Sequence, residues 1–257
     1  MANFYEQLMK EIATLQRRVE RLELVEQPVL STTAAQTIYI GTSGSDTTGD
    51  GSSGNPYASL YHVWTNVLPV IIRHEVTIQF QDGTYTLVQD QNLAPKFGSA
   101  TVSILGNAAN KNLVILDGAN TYYGPYFDGV RMGTLYIRYI TVKRSTQAGI
   151  SANGTSKLLV FDNVLIENQL RGLQVLYQST VDARNNDISN NTNEGIGAYY
   201  GGDVFSVNNV SSTTYTATAN NSTYGLRGSN HGEITKSGTQ PSGATAAEFT
   251  SGGGSIA

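Results

Sequence analysis

Paired carboxylates are the first residues in this 257-residue chain with the types and spacing for chemistry. Asp162 with Glu167, Asp182 with Asp187, and Glu194 with Asp203 each place two acids within a short span. A glycosidase needs two such groups facing one another across a sugar, about 5 to 10 Å apart. Each of these acids serves equally well as a turn residue or as a partner for Arg144, Arg171 or Arg184. A lyase would instead want a basic cluster that acidifies the proton beside a uronate carboxylate, for which Lys143, Arg144 and Arg171 are the candidates. His62, His74 and His231 share no spacing of a metal site or a triad. Asp46 and Asp50 sit four apart in a Gly-rich loop, but the spacing and closing Glu of an EF-hand are absent, so turn chemistry is expected and no metal. These residues name no catalytic set, and no cofactor is implied.

The 15 tyrosines favour binding. Tyr122, Tyr123 and Tyr126 cluster in "TYYGPYFDG", and Tyr199 with Tyr200 precedes Gly201 and Gly202. Rigid aromatic faces stack on sugar C–H surfaces and phenol hydroxyls bond sugar hydroxyls at low entropic cost. The same rings could instead cover a flank or a subunit seam.

The elements that position these residues are short. With 27 Gly, 14% charged residues and many Asn, Ser and Thr, the composition is that of many strands joined by tight turns. The net charge of −4 and the absence of any basic block beyond Arg17-Arg18 argue against nucleic acid. There is no Cys, and the chain contains no apolar run long enough to insert in a membrane and no visible export signal at its start.

An internal repeat fixes the architecture. Leu135, Leu158, Val181 and Val204 stand 23 apart (158−135, 181−158, 204−181), and Gly149, Gly172 and Gly195 and Asn163, Asn186 and Asn209 keep the interval. Gly225 lies 30 past Gly195 and Ile234 lies 30 past Val204, so one seven-residue insertion, placed in "SSTTYTATANNSTYG", accounts for both. The period predicts an all-β fold, a parallel β-helix of about seven coils between Val76 and Lys236, each coil supplying the next with backbone partners. The Leu and Val column would line the interior. The Asn column would form a ladder at a turn, and the glycines would give the freedom to bend. Tyr136, Leu159 and Phe205, and Phe161 and Val207, would then point outward beside Asp182, Arg138 and Arg184, an apolar surface suited to association.

Residues 1 to 27 form a different unit. Leu8, Ile12, Leu15, Val19 and Leu22 make a heptad seam, which Gln27-Pro28 ends. By identity alone, a β-branched residue at a with Leu at d favours two strands. "RVERLE", with Arg18, Val19, Leu22 and Glu23, resembles the short trimer-specifying pattern of coiled coils and implies a homotrimer.

Residues 28 to 37 read as a connector, 38 to 75 as a cap, 76 to 238 as the β-helix and 239 to 257 as a Gly/Ser/Thr-rich tail, either flexible or wrapped around a neighbour as a distal tip. In the cap, "NPYASLYHVWTNVLP" predicts a helix with Asn55 as N-cap and Pro56 at its first position. "GTSGSDTTGDGSSGNPYAS" with the following "VTIQFQDGTYTL" resembles the N-terminal cap of phage tail spikes and tail adhesins with a right-handed, pectate-lyase-like β-helix. That resemblance implies a virion-attached trimeric fibre or spike, joined to other virion proteins through its stem and adhering to host surface polysaccharide. A polysaccharide depolymerase and a purely structural fibre of head, neck or tail are the alternatives.

Overall fold

The structure, a computed structural model, describes residues 31–154, 156–211 and 220–257. The heptad seam of Leu8, Ile12, Leu15, Arg18, Val19, Leu22 and Glu23 lies outside the described residues, as do residues 212–219 of the predicted insertion.

Among the described residues every strand pair is parallel, and the chain winds through three large sheets in turn, with a small fourth sheet of Ile71–Ile72 and Phe97–Gly98 near the cap. The first sheet stacks Gln36–Ile40, Val76–Phe80, Thr101–Leu105, Thr134–Arg138, Lys157–Phe161, Thr180–Arg184, Asp203–Val207, Glu233–Ser237 and Ser255–Ile256. The second stacks Gly83–Thr86, Val114–Asp117, Thr141–Lys143, Val164–Ile166 and Asp187–Ser189. The third stacks Asn92–Leu93, Tyr126–Asp128, Ala148–Asn153, Arg171–Leu176, Glu194–Tyr199, Tyr224–Ser229 and Ala246–Ser251. This is the expected parallel β-helix. The insertion is where the arithmetic put it, because Asp203 pairs with Glu233 and Glu194 with Tyr224.

Alternation along each strand decides what is buried. Leu158 pairs with Val181 and Val181 with Val204, and Leu135, Leu158, Val181 and Val204 are all fully buried. Each such side chain contributes about 1.5 to 3 kcal/mol by leaving water. Outside, the guanidinium of Arg184 lies over the rings of Phe161 and Phe205 at 5.5 and 5.6 Å, while its charge meets Asp182. The outward aromatic residues of the first sheet are therefore interleaved with charge, and Phe205 is the most exposed of them at 39%.

Two Asn ladders close the turns. Asn186 Oδ1 accepts from the backbone N–H and the side-chain amide of Asn163, and Asn209 Oδ1 does the same for Asn186. This is the expected ladder, and its amides also donate to Ile137, Val160 and Ala183 carbonyls. A second ladder, which the sequence analysis missed, joins Asn168, Asn191 and Asn221 in the same manner. The glycine column serves this second ladder, not bending. Gly149, Gly172 and Gly195 do not have positive φ, and a Cβ on them would meet the amides of Asn168, Asn191 and Asn221 at 2.9, 3.0 and 2.8 Å.

Two further expectations need correction. The cap helix starts at Ser59, whose side chain accepts from His62 N, and one turn, Leu60–His62, runs into a wider turn over Val63–Val67. Asn55 cannot be its N-cap, because Tyr57 bridges to Ile40 in extended conformation and Asp46 accepts from Ala58 N and Ser59 N at 2.8 and 3.1 Å. Past residue 238, the chain does not wrap away. Ala246–Ser251 and Ser255–Ile256 add strands to the third and first sheets.

Candidate functional site

Each coil turns through residues in the left-handed region, which disfavours any side chain with a Cβ. At the turn from the first to the second sheet these are Tyr139, Asp162, Asn185 and Asn208, and from the second to the third they are Arg144, Glu167 and Asn190. In both columns the next residue on the later coils is a ladder Asn, so left-handed residue followed by Asn is the local rule of the fold.

The turn that leaves the third sheet is different. Its left-handed column is Gly129, Gly154, Tyr177, Tyr200, Asn230 and Gly252. Tyr177 and Tyr200 stand here at φ of 47° and 53°, as Tyr139 does at the first turn, at a cost of about 1 to 2 kcal/mol each. Their rings stack, centroids 5.1 Å apart and planes at 8°, and they are 52% and 50% exposed.

The register gathers the other expected tyrosines around this stack. Tyr199, a neighbour of Tyr200 at 6.5 Å, is buried, and its hydroxyl accepts from Arg171 Nε at 3.0 Å. Burial, with Glu194 beside it, pushes this phenol up to about 12 against the opposing pull of Arg171 and Arg227. Both guanidiniums lie against the Tyr199 ring, at 4.5 and 5.5 Å, and both pair with the fully buried Glu194 at 2.8 Å. Tyr126 is half-buried on the same sheet, its phenol raised by burial and by its neighbours Asp128, Tyr177 and Tyr123. Tyr123 accepts from Gln147 Nε2 at 3.0 Å. Tyr122 is half-buried on the loop before Tyr126. Tyr123, Tyr126, Tyr177, Tyr200 and Tyr199 thus form one flank. Tyr177 was missed although 200−177 is 23, the period already in hand.

The expected acid pairs are dispersed. Asp162 and Glu167 occupy different turns at the two ends of Val164–Ile166, and Asp162 pairs with Arg138 at 3.1 Å. Asp182 pairs with Arg184, and buried Asp187 accepts from Ser189 Oγ. Glu194 is locked between two arginines while Asp203 is exposed at the start of a first-sheet strand. The basic candidates also separate. Arg144 and Lys143 converge on buried Asp117, whereas Arg171 belongs to Glu194. Burial opposes ionisation of Asp117, but the bonds from Arg144 and Ala119 N and the charges of Arg144 and Lys143 hold its carboxyl below the usual range. Asp46 holds the N-cap Ser59, accepting from its N–H and its hydroxyl, and Asp50 accepts from Ser52 N. His62 contacts Asn66, and His231 sits in the left-handed turn after Asn230. An open cleft of about 360 Å³ beside the turn from the first to the second sheet is lined by Lys111, Tyr139 and Asp162. Burial lowers the Lys111 ammonium, opposed in part by Asp187 and Asp162.

Comparison with known proteins agrees with the winding. Residues 76–240 match the family described as the right handed beta helix region. This span is more than half of the chain, and the protein belongs to that family. No curated protein and no solved structure matches the chain. Among the described residues no helix is long and apolar enough to cross a membrane.

Proposed function

We propose that this β-helix is the adhesive part of a virion-attached homotrimeric fibre or spike of a bacteriophage, and that its tyrosine flank contacts host surface polysaccharide. One observation carries the reading: Tyr177 and Tyr200 are held, half exposed and stacked, in backbone conformations that disfavour them. The other positions of this column are Gly129, Gly154, Asn230 and Gly252, residue types that take this conformation at low cost. Two flat apolar faces beside the phenol of Tyr126 suit a sugar polymer, whose units offer C–H faces and hydroxyls at short repeats. The trimer and the attachment through residues 1 to 27 rest on the heptad seam and on the likeness of the cap to phage tail spikes and adhesins.

Glycan-array binding by the wild type and by the Tyr177→Gly/Tyr200→Gly double variant tests the reading. The wild type should bind a defined set of bacterial polysaccharides and the double variant should lose that set. Equal binding would remove the flank from recognition.

The depolymerase alternative is favoured by one feature, the cleft that holds Lys111, with its lowered ammonium, beside Asp162. Chain shortening of host capsule by the wild type, abolished by Lys111→Ala, would establish it.

A further inference from the structure

We propose that the flank contains a defined sugar slot on the free face of Tyr177, and that this slot takes a neutral hexose or N-acetylhexosamine unit in preference to a uronate. The inference rests on the adhesion reading and narrows its substrate.

Tyr200 covers one face of Tyr177, with ring planes at 8°. The other face is turned towards the preceding coils. There the strand register, Ala152 with Val175 and Asn153 with Asp128, continues Tyr177 onto Gly154 and then Gly129. Neither glycine carries a side chain, so among the described residues the strand register offers no ring to stack in the place one coil below Tyr177, about 4.8 Å away. That spacing is within the separation at which rings stack, about 4.5 to 7 Å between centres. The Tyr177–Tyr200 pair already shows a ring accommodated at this pitch.

The polar groups around the gap are acceptors. The carboxylate of exposed Asp128 lies over Gly154, its Oδ1 only 2.6 Å from where a Cβ on that glycine would be. Asn153 Nδ2 donates to the same oxygen at 2.8 Å, which orients the carboxylate. Asn153 Oδ1 is buried and accepts no bond among the described residues. The Tyr126 hydroxyl is near enough to Asp128 and Tyr177 to feel both, and it remains a protonated donor at neutral pH. The exposed carboxylate recognises hydroxyl and amide N–H donors and is able to take two neighbouring hydroxyls. A uronate would bring a second negative charge beside Asp128, a like-charge contact that disfavours it. Arg171 does not offset this, since it stands at the start of Arg171–Leu176 while Asn153 and Asp128 stand at the ends of their strands next to Tyr177, and it is held with Arg227 on Glu194.

The test uses full-length protein and two immobilised probe sets, neutral hexose and N-acetylhexosamine oligosaccharides in one and uronate oligosaccharides in the other. The wild type should prefer the neutral set. Tyr177→Gly removes the ring where the left-handed backbone already suits glycine, so the variant should fold, as circular dichroism would verify, and should bind about tenfold more weakly. Asp128→Asn should weaken neutral binding and reduce the discrimination against uronates. If the wild type binds neither set, the adhesion reading falls and the slot with it. If the wild type binds but Tyr177→Gly and Asp128→Asn leave affinity and preference unchanged, or if the wild type prefers uronates, the slot is overturned while the adhesion reading stands.

Discussion

The side-chain carbonyl of Asn186 accepts two bonds from Asn163 on the preceding coil, one from its backbone N–H at 2.9 Å and one from its amide at 3.2 Å. Its own amide donates to Val160 O and to Asn209. One side chain therefore joins three successive coils at a fully buried turn.

Asn186→Ala should for that reason be among the most destabilising single changes. It takes the partner from the Asn163 backbone N–H, from one Asn163 amide hydrogen and from Val160 O in a place that water does not reach, at about 1 to 3 kcal/mol for each group left unpaired, while Asn209 Oδ1 keeps the Asn186 backbone N–H. Denaturant unfolding should show a loss of at least about 3 kcal/mol. A loss below about 1 kcal/mol would mean that the turns are held by their backbone bonds alone.

Glycine substitution should separate the two kinds of glycine in the chain. A Cβ on Gly172 would lie 2.3 Å from Ile188 Cγ2 and 2.9 Å from Gly195 O, whereas Gly54 has nothing within 4 Å. Gly172→Ala should therefore lower the melting temperature markedly, and Gly54→Ala should leave it close to that of the wild type. Equal effects would contradict the role of the glycine column in seating the second ladder.

The chain should lose stability in strong alkali through two buried phenols. Burial pushes both Tyr85 and Tyr199 up to about 12. Unfolded phenols ionise near 10, so the folded state holds these protons more tightly. Their contribution is complete below about pH 10 and is lost as the pH rises through about 12, up to about 2 kcal/mol each. Spectrophotometric titration of phenolate should show two tyrosines lagging the rest. Uniform titration at the ordinary value would contradict their burial.

The proposed trimer depends on the seam of residues 1 to 27. Leu15→Asp combined with Leu22→Asp should reduce the mass seen by light scattering from that of three chains, because a carboxylate at d cannot be buried in the seam. A trimer of unchanged mass would assign assembly to the β-helix instead.

How much of this was legible in the sequence depended on whether a contact respects the repeat. The Leu135, Leu158, Val181 and Val204 column and the ladder of Asn163, Asn186 and Asn209 were readable because side chains at equal phase must stack in a parallel β-helix. The second ladder obeys the same arithmetic, 191−168 being 23 and 221−191 being 30, but its last step crosses the insertion. Tyr177 was hidden for another reason. Tyr199 and Tyr200 attract notice as sequence neighbours, yet alternation buries Tyr199, while Tyr200 sits at the turn and finds its ring partner one period away. The helix start at Ser59 was not local information at all, because the decisive group is the Asp46 carboxylate from across the loop. The acid pairs were misleading for a geometric reason, since residues five or nine apart in this chain fall on different strands or turns.

The central claim is that polysaccharide lies along the tyrosine flank of the third sheet. The most direct measurement is a crystal structure of the protein with an oligosaccharide selected on the array. The account predicts a sugar ring against the open face of Tyr177, above Gly154 and within hydrogen-bonding distance of Asp128. Sugar density in the Lys111 cleft or at the cap, with the Tyr177 face bare, would contradict it.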